Sequence, residues 1–129
     1  MRINIASIMV DDQAKAHRFY TETLGFRTKH DVAIGGAKWL TVVSPEEPDG
    51  TELLLESTDN PAIPAAEYQR AMFDAEVPAI SFAVDDVRAE HERLAGLGVR
   101  FVEAPQDSGS LISAVFDDTC GNLIMIIGR

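Results

Sequence analysis

Three histidines, one cysteine, several serines and two closely spaced glutamates are the groups in this sequence that could do chemistry. His17 and His91 each follow a Val-Asp-Asp triplet by the same interval and fall in segments with helical periodicity. His91 shares a helix face with Val87 and Leu94, which makes it a packing histidine rather than a proton carrier. His30 sits in a β-prone run, and no Asp or Glu is spaced from it as a metal-binding motif requires. Ser7, Ser81 and Ser113 also fall in β-prone runs, none in a nucleophile elbow, so they read as polar strand residues. Cys120 is the single cysteine, which excludes an intramolecular disulfide and a cysteine-based zinc site. Beside Asp117, Asp118 and Gly121 it is expected to be an unreactive turn residue. Gly35-Gly36 between two β-type runs signals a hairpin, not a phosphate-binding loop. Glu52 and Glu56 share a strand face with Leu54, and Trp39, the single tryptophan, could stack on a planar or cationic ligand.

These groups are carried on a chain that repeats itself. Val10-Asp11-Asp12 recurs as Val84-Asp85-Asp86, Leu24-Gly25-Phe26 as Leu97-Gly98-Val99, and the turn at Asp49-Gly50 as Cys120-Gly121-Asn122, at offsets of 74, 73 and 71 residues. Landmarks in one order at nearly one offset indicate two tandem modules. In the first, an apolar strand over Ile3–Val10 leads through an Asp11 or Asp12 N-cap into a helix over Gln13–Leu24 that Gly25 ends. Strands over Phe26–Val32, Lys38–Val43 and Thr51–Ser57 follow. The second module repeats the pattern with a strand over Ala79–Val84, a helix over Asp86–Leu97, and strands over Val99–Val102, Leu111–Asp117 and Leu123–Ile127. Between them Ala65–Ala75 has the composition of a short helix. The boundaries are a first module at about 1–58, a linker at about 59–78 and a second module at about 79–129. Each βαβββ half is too small to close a core alone, so the expected fold class is α+β, two sheets with helices outside and a curved inner face.

Composition limits the functions open to such a fold. A chain of 129 residues with 46% hydrophobic and 25% charged residues can bury a core without covalent staples. Its formal net charge of -10 argues against nucleic acid, whose recognition needs clustered Lys and Arg. No run approaches the roughly 18 apolar residues of a membrane span, and the opening residues Met1–Ala6 lack a signal-peptide core. A soluble, cytoplasmic protein is the expectation.

Val10-Asp11-Asp12, Phe19-Tyr20, Leu24-Gly25-Phe26, Phe82-Ala83-Val84-Asp85-Asp86 and the run Phe116–Ile124 together resemble the glyoxalase/bleomycin resistance/dioxygenase (vicinal oxygen chelate) superfamily, over essentially the whole chain. The resemblance implies that the two modules form a cup-shaped sheet and that the protein is a homodimer. In the metal-using members a divalent cation sits in the cup, held by His and Glu side chains of particular strands. Here the positions corresponding to the two common histidines are Ile5 and Ala79, and that of the final glutamate is Met125. The fourth position falls on Leu54, with Glu52 and Glu56 on the same face. Such a set gives a hard cation too few donors, so neither metal nor cofactor is expected.

By strand alternation the face that would line the cup shows Ile5 and Ser7, Trp39 and Thr41, then Glu52, Leu54 and Glu56. The second module adds Ala79, Ser81 and Met125. Apolar walls with one aromatic ring and a few polar groups are usual for small-molecule sites. The first functional reading is metal-independent binding of a small organic molecule, aromatic or cationic, for sequestration or sensing. The second is a lyase, isomerase or dioxygenase with shifted ligands or without metal. The third is an interaction or regulatory module whose cup is filled by side chains.

Overall fold

A computed structural model describes residues 1–129 and shows two compact units, Met1–Tyr68 and Gln69–Arg129. The first contains β1 (Ile5–Val10), α1 (Gln13–Arg18), β2 (Arg27–Ile34), β3 (Ala37–Val43) and β4 (Glu52–Ser57). After α2 (Ala65–Asp74), the second contains β5 (Ile80–Val84), α3 (Val87–Gly96), β6 (Phe101–Asp107), β7 (Ile112–Asp117) and β8 (Leu123–Gly128). The strand orders are β1-β4-β3-β2 and β5-β8-β7-β6. In each sheet the first strand runs parallel to the last and the remaining pairs are antiparallel. The result is an α+β fold of two mixed four-stranded sheets, with no closed barrel.

The repeated landmarks do the same local work in both units. Asp12 and Asp86 cap their helices, each carboxylate accepting from the backbone N–H three residues on, at 3.0 Å from Lys15 N and from Ala89 N. Gly25 and Gly98 end the helical segments at φ +92° and +89°, a region that favours glycine. After Gly98 the chain closes a Schellman pair, with Val99 N–H donating to Leu94 O and Gly98 N–H to Ala95 O, both at 3.0 Å.

One sheet face meets the helix in each unit. Ile8, Val10, Leu40, Val42, Leu53 and Leu55 alternate onto the buried face of the first sheet, where Ala16 and Tyr20 are also wholly buried. In the second unit Val87 and Leu94 of α3 are buried with Ala114, Phe116, Ile124 and Ile126. His91 lies edge-on to Phe101 with ring centroids 4.4 Å apart, in keeping with its reading as a packing residue. The other helical histidine is tied locally, His17 Nε2 lying 2.6 Å from the Thr28 hydroxyl.

Several boundaries differ from those the pattern suggests. The first helix is α-helical only to Arg18, and Phe19–Thr23 forms a wider π-type turn in which Leu24 N–H donates to Phe19 O at 3.0 Å. Thr21 lies in this turn, and its hydroxyl donates to the His17 carbonyl at 2.6 Å, a side-chain bond of the kind that bends helices. The hairpin is tighter than expected, β2 and β3 running to Ile34 and from Ala37 around Gly35-Gly36. Ala79 stands just before β5 rather than in it, although its N–H donates to Leu123 O at 2.8 Å. The sixth strand starts later than Val99 and runs on to Asp107, with register irregularities that account for its weak alternation.

The turn between β7 and β8 is the most tightly tied segment of the second unit. Asp118 is wholly buried, its Oδ1 accepting from Cys120 N at 2.7 Å and Asn122 N at 2.9 Å, its Oδ2 from Asn122 Nδ2 at 2.8 Å. Gln69 of α2 donates through Nε2 to Cys120 O at 3.0 Å and lies 3.3 Å from Asn122 Oδ1. Cys120 is enclosed there and fully buried.

Candidate functional site

The face of the first sheet turned away from α1 gathers seven of the ten residues that alternation selects. Ile5 pairs with Glu52 and Ser7 with Leu54 across the parallel β1–β4 ladder. Thr41 of β3 stands opposite Leu54 on the other side. Trp39, two residues before Thr41, and Glu56, two after Leu54, continue the same face. In the second unit Ser81 pairs with Met125, and Ala79 is held beside β8 by its bond to Leu123.

Polar groups on the first face are organised around Glu52. The hydroxyl of Thr41, wholly buried, donates to Glu52 Oε1 at 2.7 Å, and His30 Nε2 lies 3.6 Å from the same oxygen. The Glu52 side chain is only 14% exposed while that of His30 is 47% exposed, so the imidazole is the solvent-facing member. No acid is spaced from His30 along the chain as a metal-binding motif requires, and its acidic neighbour Glu52 comes from another strand. A two-residue turn at Gly35-Gly36 sets Ile34 opposite Ala37, and counting back from it puts His30 opposite Thr41, next to the Glu52 strand. The register was the missed signal; linear spacing from His30 to an acid carried none.

The positions corresponding to the metal ligands do not fit a divalent cation. Ile5, Leu54 and Ala79 offer no donor atom and Met125 only a thioether, a poor ligand for hard cations. No three His, Cys, Asp or Glu side chains are gathered so as to hold a metal ion.

A groove of about 790 Å³ opens at the end of this sheet, walled by Trp39, Leu54 and Glu56 and rimmed by Asp11, Asp12 and Asp59. Its origin is visible in the ladder. The β3–β4 register holds at Thr41–Leu54 and Val42–Leu53 and goes no further toward Trp39. There Gln13, the first residue of α1, donates through Nε2 to Lys38 O at 3.0 Å and Leu55 O at 2.9 Å. One side-chain amide thus satisfies carbonyls from both strands where they part. Gln13 and Asp59 line the groove although periodicity did not select them; nothing along the chain marks Gln13 as a side chain that bridges two distant strands.

The charges around the groove are unequally committed. Asp11 pairs with Lys15 at 3.2 Å, and Lys38 with Asp31 at 3.3 Å. Asp12 caps α1, and the Lys15 N–H it accepts is the main reason its carboxyl titrates below the usual value. Glu56 and Asp59 have no side-chain hydrogen bond or ion pair within the protein.

Comparison with known proteins places this geometry among relatives. Residues 2–126 match the model of the Glyoxalase/Bleomycin resistance protein/Dioxygenase superfamily. YurT of Bacillus subtilis (strain 168), an uncharacterized protein, is 50% identical over 129 residues, covering 100% of both chains. Among solved structures, UcmS2 superposes with a TM-score of 0.88 at 32% identity, covering 100% of this chain and 98% of that one. TnmS3, an antibiotic binding protein from Streptomyces sp. CB03234, gives a TM-score of 0.77 at 28% identity, with 98% and 93% covered.

Proposed function

Since the chain belongs to the Glyoxalase/Bleomycin resistance protein/Dioxygenase superfamily, we propose that it is a metal-independent binding protein that sequesters or senses a small organic molecule. The observation that carries this reading is the groove of about 790 Å³ walled by Trp39, Leu54 and Glu56, within the range of small-molecule sites. Two further features support it: the donor-poor residues at the metal-ligand positions, and the likeness to TnmS3, an antibiotic binding protein. The reading treats residues 1–58 and 79–129 as tandem modules joined by 59–78, in a cytoplasmic homodimer whose mass light scattering would measure. The primary test is elemental analysis of protein dialysed after exposure to manganese, nickel, zinc and iron salts, followed by Trp39 quenching with aromatic compounds. Sub-stoichiometric metal with saturable quenching supports the reading; one metal per chain that survives dialysis overturns it.

A second reading, a metal-free lyase or isomerase, is favoured by one arrangement. A carboxylate held by the Thr41 hydroxyl beside the half-exposed His30 imidazole is the kind of pair that moves protons. If the wild-type protein catalyses no proton exchange at an activated carbon of candidate substrates, or catalyses it as fast after Glu52→Gln, this reading falls.

A further inference from the structure

We propose that the groove at the parted ends of β3 and β4 selects a planar organic cation, with the ring on Trp39 and the positive charge held by Glu56 and Asp59. The inference rests on the binding reading above and adds the ligand's chemical class.

Three observations converge on it. Trp39 is half-buried in the groove wall, so part of the residue remains open to a ligand. An aromatic face attracts a cation through its quadrupole, most strongly where water is partly excluded. The second observation is charge. Four carboxylates and one ammonium group line the groove, but Asp11, Asp12 and Lys38 are already engaged by Lys15, the α1 backbone and Asp31. What remains is the uncompensated pair Glu56 and Asp59, Glu56 being half-buried beside Trp39. An anion would be repelled there, whereas a neutral ring would gain only the Trp39 contact.

The third observation is the fixed direction of Gln13. Both hydrogens of its Nε2 have backbone acceptors, Lys38 O and Leu55 O. The amide therefore cannot rotate to present a donor to a ligand, and Oε1 is its remaining polar atom. Two other polar linings have their oxygens occupied: Ser57 Oγ accepts from Asp59 N at 3.1 Å and Asn60 Oδ1 from Ala62 N at 2.9 Å. The Ser57 O–H and the Asn60 Nδ2 remain donors, so the acceptors left open to a ligand are Gln13 Oε1 and the Glu56 and Asp59 carboxylates, and the two charged ones suit a cation. A small hydrated metal ion is a poorer match, because two carboxylates across an open groove do not complete its ligand shell.

The test compares 10-methylacridinium, permanently charged, with acridine at a pH where it is neutral; the two have nearly the same ring area. Quenching of Trp39 and isothermal calorimetry give each Kd at low salt. The cation should bind about tenfold more tightly, as expected for one charge contact plus a cation–π term. Raising salt to about 0.5 M should shrink that preference. Glu56→Gln with Asp59→Asn should bring it to within about threefold. The matched variant Glu22→Gln with Glu92→Gln, exposed residues outside the groove, alters net charge equally and should keep the preference. Equal binding of the two compounds would overturn the ligand class and leave the binding reading standing. A preference that survives the groove variant, or is lost equally in the matched one, would overturn the assignment to Glu56 and Asp59. Absence of quenching and heat with both compounds would overturn the groove as a ligand site and the binding reading with it.

Discussion

Replacing Asp118 by alanine should destabilise the second unit severely, and the loss can be worked from its hydrogen bonds. The carboxylate accepts from two backbone N–H groups and the Asn122 amide, and it is wholly buried. Alanine strips all three donors of their acceptor. At about 1–3 kcal/mol for each buried group left unsatisfied, less whatever entering water restores, the cost is about 3–5 kcal/mol. Asparagine separates the contributions. Its oxygen can still serve the two backbone donors, but its NH2 then faces the Asn122 amide, which is oriented by Gln69. The expected cost is about 1–2 kcal/mol, for weaker neutral bonds and one lost acceptor. Urea unfolding followed by far-ultraviolet circular dichroism measures both, provided the m-value is unchanged. An alanine variant within about 1 kcal/mol of wild type, or an asparagine variant as destabilised as alanine, would refute the view that this carboxylate organises the turn.

Three other substitutions probe separate parts of the reasoning. Gly128 stands opposite Val84 where β5 and β8 run parallel, and a Cβ there would lie 2.0 Å from Val84 O. Gly128→Ala must therefore separate the strands, with an expected loss above about 2 kcal/mol in the same unfolding assay. Gln13→Leu removes the donors that serve Lys38 O and Leu55 O and should cost about 1–3 kcal/mol, with a shift in Trp39 emission as the groove wall relaxes. The Asp12 carboxyl is held below its ordinary value of 3.8, chiefly by the Lys15 N–H, so its charged form stabilises the fold above that pH and the contribution fades as pH falls through the lowered folded value. Asp12→Asn keeps the cap without the charge, so the stability gap to wild type should be flat near neutrality and close on acidification; a gap that widens in acid would reverse the sign argued here.

Much of this architecture was legible along the chain because its determinants are local. Asp12 and Asp86 announce helix starts, Gly25 and Gly98 their ends, and alternation in Glu52–Ser57 separates Leu53 and Leu55, which are buried against the helix, from Glu52, Leu54 and Glu56 on the opposite face. Where the reading was too coarse, a side chain competed with the backbone. In the first helix the Thr21 hydroxyl bonds the His17 carbonyl where the π-type turn lies, a local contact that periodicity does not encode. The site shows the same division. That Trp39 and Glu56 share a face follows from a strand facing two ways, whereas the space between the strands depends on Gln13, 42 residues from Leu55.

That difference bears on how the groove can change in such a fold. The face residues are fixed by a period of two along strands that also build the core, so altering which positions face the groove would require shifting a register. Gln13 acts otherwise: it stands on the first helical residue and completes hydrogen bonds that the parting strands leave open. Substituting it is expected to change how far β3 and β4 separate without moving any residue to the other face. Asp59 lies beyond the end of β4, where a change of charge disturbs no ladder. The shape of the groove and its charge can thus vary through positions that the sheet does not use, while Trp39 and Leu54 continue to supply an apolar wall.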